Sequence, residues 1–503
     1  MFATIILAHA IAAHIRFLAS DLLEGREPGT RGYDIGARYV AAQFTAIGLE
    51  TSEQQISFRV AKLLEDQSTF AVSGPPLTIR KDIVPRANFL SATSEVSTPV
   101  VFTGFGISAP ELKHDDYASI DARGKIVLIL SGAPPNFPID QRAYYSGGRL
   151  KERTAAQHGA VGVLTLNTIT DENRMPFEKR AQQSGIPPML YLDSGKPADA
   201  VEGIRVSALV SHAAAEKFFA GAPMAVDAVL ADAEKSIGHA FPLATNLSAR
   251  TVSQFEEVKS SNVIGLLRGS DAKLRDQFVV VTAHLDHLGN HPPANGGDAI
   301  YNGAYDNASG IACLIEIARA LAAGPRPKRS VVFVALTGEE KGLQGSRYFV
   351  RHSPVQPIVA DVNMDMFLML YPVGDLVALG GEHTAIGAMA DRAARESGFE
   401  MSPDPFAEEV RFIRSDQFSF VEAGIPAIHL KPGNKSLDPK IDGAKVTRDW
   451  LRRVYHSPAD DMNQTFDFAS GARYAETNLR LVRAIANASE KPAWKKGDFF
   501  APK

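Results

Sequence analysis

One cysteine, Cys313, is all the thiol in this 503-residue chain. An internal disulfide is therefore impossible, and thiolate-rich zinc or iron–sulfur sites are excluded. Cys313 falls in an apolar helical pattern with Ile311, Leu314, Ile315 and Ala318, which suits a small core residue better than a nucleophile. An excess of one charge is lacking too. The 53 Lys and Arg set against 57 Asp and Glu leave a net charge of −4, so no basic field points to nucleic acid or to an anionic membrane surface. No apolar run reaches the ~20 residues of a membrane-spanning helix. A G-x-S-x-G nucleophile elbow and a G-x-x-x-x-G-K-[ST] phosphate loop are both missing, which removes the commonest serine-hydrolase and NTPase readings. There are no internal repeats and no low-complexity tracts.

What remains is an ordinary globular composition, 45% hydrophobic and 22% charged, long enough for two or three domains. The start, MFATIILAHAIAA, is apolar but short and lacks a basic leader; Ala8-His9-Ala10 resembles a signal-cleavage site. The expectation is an exported protein, with cytoplasmic residence as the alternative. Residues 11–50 carry two helical patterns, separated by the Gly/Arg-rich turn EGREPGTRG. From about 95 the character changes: TPVVFTGFGI and GKIVLILSG read as strands, and KERTAAQHGAVGVLTLN as a helix running into a strand. From about 245, strand patterns (QFVVVTA, RSVVFVAL, PIVADVNM, IPAIHL) alternate with helical ones (NASGIACLIEIARALAAG, LQGSRYFVRH, TAIGAMADRAARESG, FASGARYAETNLRLVRAIANA). Such alternation predicts a layered α/β domain.

In open α/β sheets, ligands gather beyond the carboxyl ends of the strands, and the metal-type residues of this chain collect there. His284 and Asp286 follow QFVVVTA. Glu339 and Glu340 follow RSVVFVAL, and Asp365 follows PIVADVNM. Asp306 stands just before the helix opened by NASG, and His456 lies in the loop VYHSPADD. Singly, each has a plain reading: a hydrogen-bonded histidine, a solvated Glu pair, an aspartate favoured by a helix dipole. Jointly, carboxylates converging on one rim repel one another unless a cation holds them. Imidazole and carboxylate without thiolate suit Zn2+, with Mn2+ or Co2+ as competitors. Two histidines and three carboxylates, one of them shared, supply three protein ligands to each of two ions.

The motifs TAHLDHLG, YNGAYDNASG, TGEEKGLQGS, VNMDM and YHSPADD occur in the order seen in the two-zinc (co-catalytic) exopeptidases, the family of bacterial leucyl aminopeptidases and glutamate carboxypeptidases, which the chain resembles over roughly residues 240–490. The resemblance implies a three-layer α/β/α catalytic domain around a mixed, mostly parallel sheet, with an inserted β-rich α+β protease-associated domain. Its divisions would be 11–94 (N-terminal part of the catalytic domain), 95–235 (insert) and 240–490 (catalytic domain). It implies two Zn2+ per chain, with His284 and Asp365 on one ion, Glu340 and His456 on the other, and Asp306 bridging them. Glu339 would be the general base, and the carboxylate of Asp286 would orient His284; His287 is left without a required role. The peptide bond after the bridging aspartate, Asp306–Asn307, would be cis. The implied activity is removal of N-terminal residues from peptide substrates by a metal-bridged hydroxide. The alternatives are a carboxypeptidase or dipeptidase of the same family, or an inactive binding protein that has lost its metals. Two positions depart from the family pattern: Tyr305 stands where many relatives have a second acid, and Gln417 where they often have histidine near the substrate. Glu408 and Glu409 are the only candidates for the acid that would hold a free amino terminus, and the phenol that assists catalysis in relatives is unplaced, although Tyr455 adjoins a ligand.

Overall fold

The computed structural model describes residues 6–291, 296–406 and 409–502. The chain divides into two compact units. One comprises residues 1–57 and 258–503, the other Phe58–Glu257.

The first unit is built on the strands of one sheet, whose central members read as continuous apolar runs. In chain order these are β1 (Ala240–Leu267, whose C-terminal end belongs here), β2 (Phe278–His284), β3 (Ser330–Leu336), β4 (Ile358–Asn363), β5 (Asp375–Leu379), β6 (Glu400–Met401) and β7 (Ala427–Pro432). The sheet order is β6-β5-β7-β4-β2-β3-β1. β3, β2, β4 and β7 run parallel; β1 is antiparallel to β3, and β5 is antiparallel to β7 but parallel to β6. Every residue of β2, β3 and β4 is buried. This is why their sequences are Val-rich without alternation: helices cover both faces. The helices are α1 (Ala8–Leu18), α2 (Arg31–Ile47), α3 (Ser309–Ala323), α4 (Gln344–Arg351), α5 (Ile386–Glu396), α6 (Gln417–Glu422), α7 (Gly443–Arg453) and α8 (Phe468–Asn487). α3 is the central one, apolar on nearly all sides and buried along most of its length, Cys313 included. α1 packs beside it through Ile11, Ile15 and Leu18, and His14 Nε2 lies 3.2 Å from Glu316 Oε1. Among the described residues no helix is long and apolar enough to cross a membrane.

The second unit has its own sheet. The strands Thr93–Thr103, Ile126–Leu130, Gly162–Leu166 and Val206–Val210 run parallel in that order, flanked by antiparallel Ile83–Pro85 and by the N-terminal part of β1. Its limits, 58 and 257, differ from the sequence-based 95 and 235. Strand pairing supplies the reason: Phe58–Val60 pairs with Met189–Tyr191, Thr69–Val72 with Leu247–Arg250, and Ile83–Pro85 with Ala208–Val210. Residues on either side of the expected insert are thereby drawn into its sheet.

One buried cation organises the approach to the sheet edge in the first unit. Arg26, with no exposed surface, donates from Nε to Leu285 O (2.8 Å) and from Nη1 and Nη2 to Leu18 O (2.5 Å), Asn302 O (2.6 Å) and Gly303 O (3.0 Å). It thus binds the N-terminal segment to the two loops that leave β2 and precede α3. Buried carbonyls deprived of donors cost about 1–3 kcal/mol each. Arg26→Met is therefore expected to lower unfolding stability by at least ~3 kcal/mol, read as a shifted urea midpoint at unchanged slope; a midpoint equal to that of the wild type would remove Arg26 from this role.

Candidate metal centre

The carboxyl ends of β2, β3 and β4 deliver His284, the Glu339–Glu340 pair and Asp365 to one place, and the loops before α3 and after α7 add Asp306 and His456. His284 Nε2 lies 3.2 Å from Asp306 Oδ1 and 3.5 Å from Asp365 Oδ1. On the other side of the same aspartate, His456 Nε2 lies 3.2 Å from Asp306 Oδ2 and 3.2 Å from Glu340 Oε2. Asp306 therefore turns one oxygen to each imidazole. His456 itself adopts a left-handed backbone, φ 53°, a conformation uncommon for non-glycine residues.

The donor set fits metal ions on its own geometry. Asp365 Oδ1 and His456 Nε2 are buried without a hydrogen-bond partner among the described residues, which polar atoms rarely are. Four of the donor-to-donor separations are 3.2–3.5 Å. Donors that each lie ~2.0–2.2 Å from a shared tetrahedral zinc stand about that far apart.

Electrostatics agree. Burial pulls the His284 pKa down, but the neighbouring carboxylates of Glu339, Asp306 and Asp365 outweigh it and hold the ring well above its ordinary value. Burial likewise opposes protonation of His456, yet Glu340 and Asp306 lift it to about 10. Burial would raise Glu340, but His456 and His287 bring it down to about 2. Glu339 goes the other way: burial, reinforced by Glu340, Asp365 and Asp416, pushes its carboxyl well above the usual range in spite of His284. Two adjacent glutamates with opposite proton affinities suit two jobs, a ligand that stays ionised and a base that picks up a proton.

The surroundings depart from the sequence-based reading at two points. Asp286 is not the carboxylate partner of His284: His284 Nδ1 lies 3.1 Å from the Asp286 backbone carbonyl, and the carboxylate oxygen is 3.9 Å away. The Asp286 carboxylate instead accepts the backbone N–H groups of Glu339 and Glu340, each at 3.2 Å. It has turned from β2 toward the β3 loop, where two donors at the start of TGEE would otherwise be orphaned. Gln417 is fully buried; its Nε2 donates to Phe412 O (2.7 Å) and its Oε1 accepts from Asn363 (2.9 Å), so both ends of the amide are engaged within the fold. Of the two candidate amine-binding acids, Glu408 lies outside the described residues, and Glu409 Oε2 accepts from Arg414 at 3.2 Å.

Several contributors were not recognised in the sequence. Asp460 accepts the N–H of Tyr305 (2.9 Å) and of Asp306 (3.0 Å), one on each oxygen. The Asp306–Asn307 bond is cis, as the resemblance implied. The Asn307 side chain donates to Met364 O (3.0 Å) and accepts from Gly310 N (2.9 Å) and Met366 N (3.1 Å), tying the Asp306 loop to the Asp365 segment. Gly310 is glycine because a Cβ there would come within 2.5 Å of Met364 O. Asp416 is buried, with burial raising its pKa to about 7 beside the His284 side of the site. Tyr455, noted in the sequence as adjoining a ligand, stacks on His456 at 3.8 Å, and its hydroxyl accepts from Arg414 at 3.2 Å. Asp460 was within reach of the reading, since it lies in the same YHSPADD motif; the Asn307 contacts needed coordinates.

An open, mostly parallel α/β sheet with histidines and carboxylates gathered about one aspartate at its carboxyl edge is an arrangement suited to a metal-dependent hydrolase. The family follows from comparison: residues 262–482 match the model of Peptidase family M28, and all five candidate ligands and Glu339 fall inside that stretch. That match is in keeping with the co-catalytic zinc exopeptidase motifs. Aminopeptidase YwaD of Bacillus subtilis is 24% identical over 481 residues, 94% of this chain and 83% of the relative. A probable zinc metalloprotease of Pyrenophora tritici-repentis is 26% identical over 47% of this chain, and the match spans 59% of that relative's length. The solved aminopeptidase from Aneurinibacillus sp. strain AM-1 superimposes with a TM-score of 0.59 at 19% identity, covering 97% of this chain and 95% of that one, and so shares its fold.

Asp460 fixes the shared aspartate through two backbone hydrogen bonds, so its removal should be felt by metal. Asp460→Ala is expected to weaken zinc binding roughly 10–100-fold in a chelator competition; an unchanged affinity would show that Asp306 is held without it.

Proposed function

We propose that the chain is a zinc-dependent aminopeptidase carrying two zinc ions, with His284, Asp306 and Asp365 holding one and Asp306, Glu340 and His456 the other. The observation that carries this reading is the Asp306 carboxylate, each of whose oxygens faces a different imidazole at 3.2 Å. When bound, zinc polarises the scissile carbonyl and lowers the pKa of water toward ~7. The protein's own part is proton handling and orientation. Glu339, with its raised carboxyl pKa, takes the proton of the attacking water and passes it to the departing amine. Asp286 fixes the backbone of both glutamates, and Tyr455, stacked on His456, offers an O–H donor beside the ligands.

A second reading within the same chemistry, a carboxypeptidase or dipeptidase, is favoured by one feature. Lys431 interacts electrostatically with Asp365 and Asp306 and with the cations Arg411 and Arg414, and such cations attract a substrate carboxylate. We further propose that the unit Phe58–Glu257 is a protease-associated insert, on the likeness of GKIVLILSG and KERTAAQHGAVGVL. Export is proposed on the apolar start alone; the Ala8-His9-Ala10 motif lies in the first turn of α1.

Hydrolysis of aminoacyl anilides beside their N-acetylated counterparts separates the readings. The zinc-loaded protein should cleave the free amines and spare the acetylated series. Cleavage of acetylated peptides at their carboxyl end would replace the first reading by the second, and turnover that survives a chelator would sink both. Glu339→Ala should retain its zinc and lose ~10²–10⁴-fold in kcat; a near-wild-type kcat would assign the proton to another group.

A further inference from the structure

His287, the second histidine of TAHLDHLG, is absorbed by none of these roles, yet it stands against the second ligand set. Its residue has no exposed surface. The peptide N–H donates to Arg26 O at 3.2 Å, and the ring lies against Gly303, where a Cβ would approach ring atoms to 2.7 Å. The ring is thus held from two sides. Its Nδ1 lies 2.6 Å from Glu340 Oε1 and 3.9 Å from Asp306 Oδ2, and its ring meets that of His456 edge-on at 5.8 Å.

The 2.6 Å contact decides what this histidine does. Taken as a hydrogen bond, the contact has the Nδ1–H of His287 donating to Oε1. A protonated nitrogen is not a metal ligand. The two oxygens of Glu340 therefore have separate partners: Oε1 is taken by His287, and Oε2, 3.2 Å from His456 Nε2, is left to share an ion with it. Among the described residues, no hydrogen bond from His287 reaches His284 or Asp365, the ligands of the other subsite.

We propose that His287 is a positioning residue that sets how tightly the Glu340–His456 subsite holds its ion, by fixing Glu340 as a one-oxygen ligand through a hydrogen bond to the other oxygen. The proposal rests on the two-ion reading above. Its consequence is an asymmetric centre, in which loss of His287 empties one subsite and leaves the other filled.

Equilibrium dialysis of the full chain against graded zinc buffers, with bound metal counted directly, reads both affinities without any assay of activity. His287→Leu keeps bulk and removes the donor, whereas His287→Asn keeps an N–H donor near the Nδ1 position. In the Leu variant one of the two ions should dissociate about 10–100-fold more readily with the other unchanged, and the Asn variant should recover most of the loss. His287→Ala repeats the deletion without the bulk should the Leu variant fail to fold. Two ions at wild-type affinity in the deletion variants overturn the proposal. So does equal weakening of both ions, which would mark a general packing role, or an Asn variant as weak as the Leu one. Wild-type protein that binds fewer than two zinc ions overturns the two-ion reading itself, and this is seen before any variant is made.

Discussion

Everything in this centre depends on holding one aspartate so that its two oxygens serve two opposite sides. A carboxylate buried among Glu339, Glu340 and Asp365 is electrostatically unfavourable by itself. Its backbone is kept in place by Asp460, which accepts its own N–H and that of Tyr305, and by the Asn307 side chain, which reaches across to the Asp365 segment. With that position fixed, the imidazoles of His284 and His456 fall 3.2 Å from its separate oxygens, which is the arrangement the proposed two-ion centre requires.

A second tier of interactions keeps the acids apart in function. Asp286 receives the two N–H groups that open TGEE, so Glu339 and Glu340 start from one rigid turn. From there His456 and His287 keep Glu340 ionised, while burial leaves Glu339 a strong proton acceptor. Arg26 contributes from behind: it is fully buried, fastens the loops on either side of the site through four carbonyls, and feels the field of Asp460, Asp286, Asp306 and Glu340. Fold stability and site geometry therefore share residues, and the sheet edge is where they meet.

The central strands and helices were legible because β2, β3 and β4 are buried on both faces and so read as uninterrupted apolar runs, and α3 as an apolar helix ended by Gly324. All five candidate ligands could be named because each follows such a strand or sits in a dense local motif. What escaped was set by direction rather than by residue type. Asp286 stands two residues after His284, which suggested a partnership, but its side chain points to another strand's loop, and sequence spacing carries no information on that turn. His287 looked dispensable for the same reason. α6 and α7 were missed because they are short or polar, and the insert's limits were missed because its outer strands come from outside the apparent domain, paired across more than a hundred residues.

The most direct test is anomalous diffraction at the zinc edge from crystals of the zinc-loaded protein. The account predicts two peaks ~3.5–4 Å apart on either side of the Asp306 carboxylate, one beside His284 and Asp365 and the other beside His456 and Glu340. A single peak, or peaks that do not share Asp306, would contradict it.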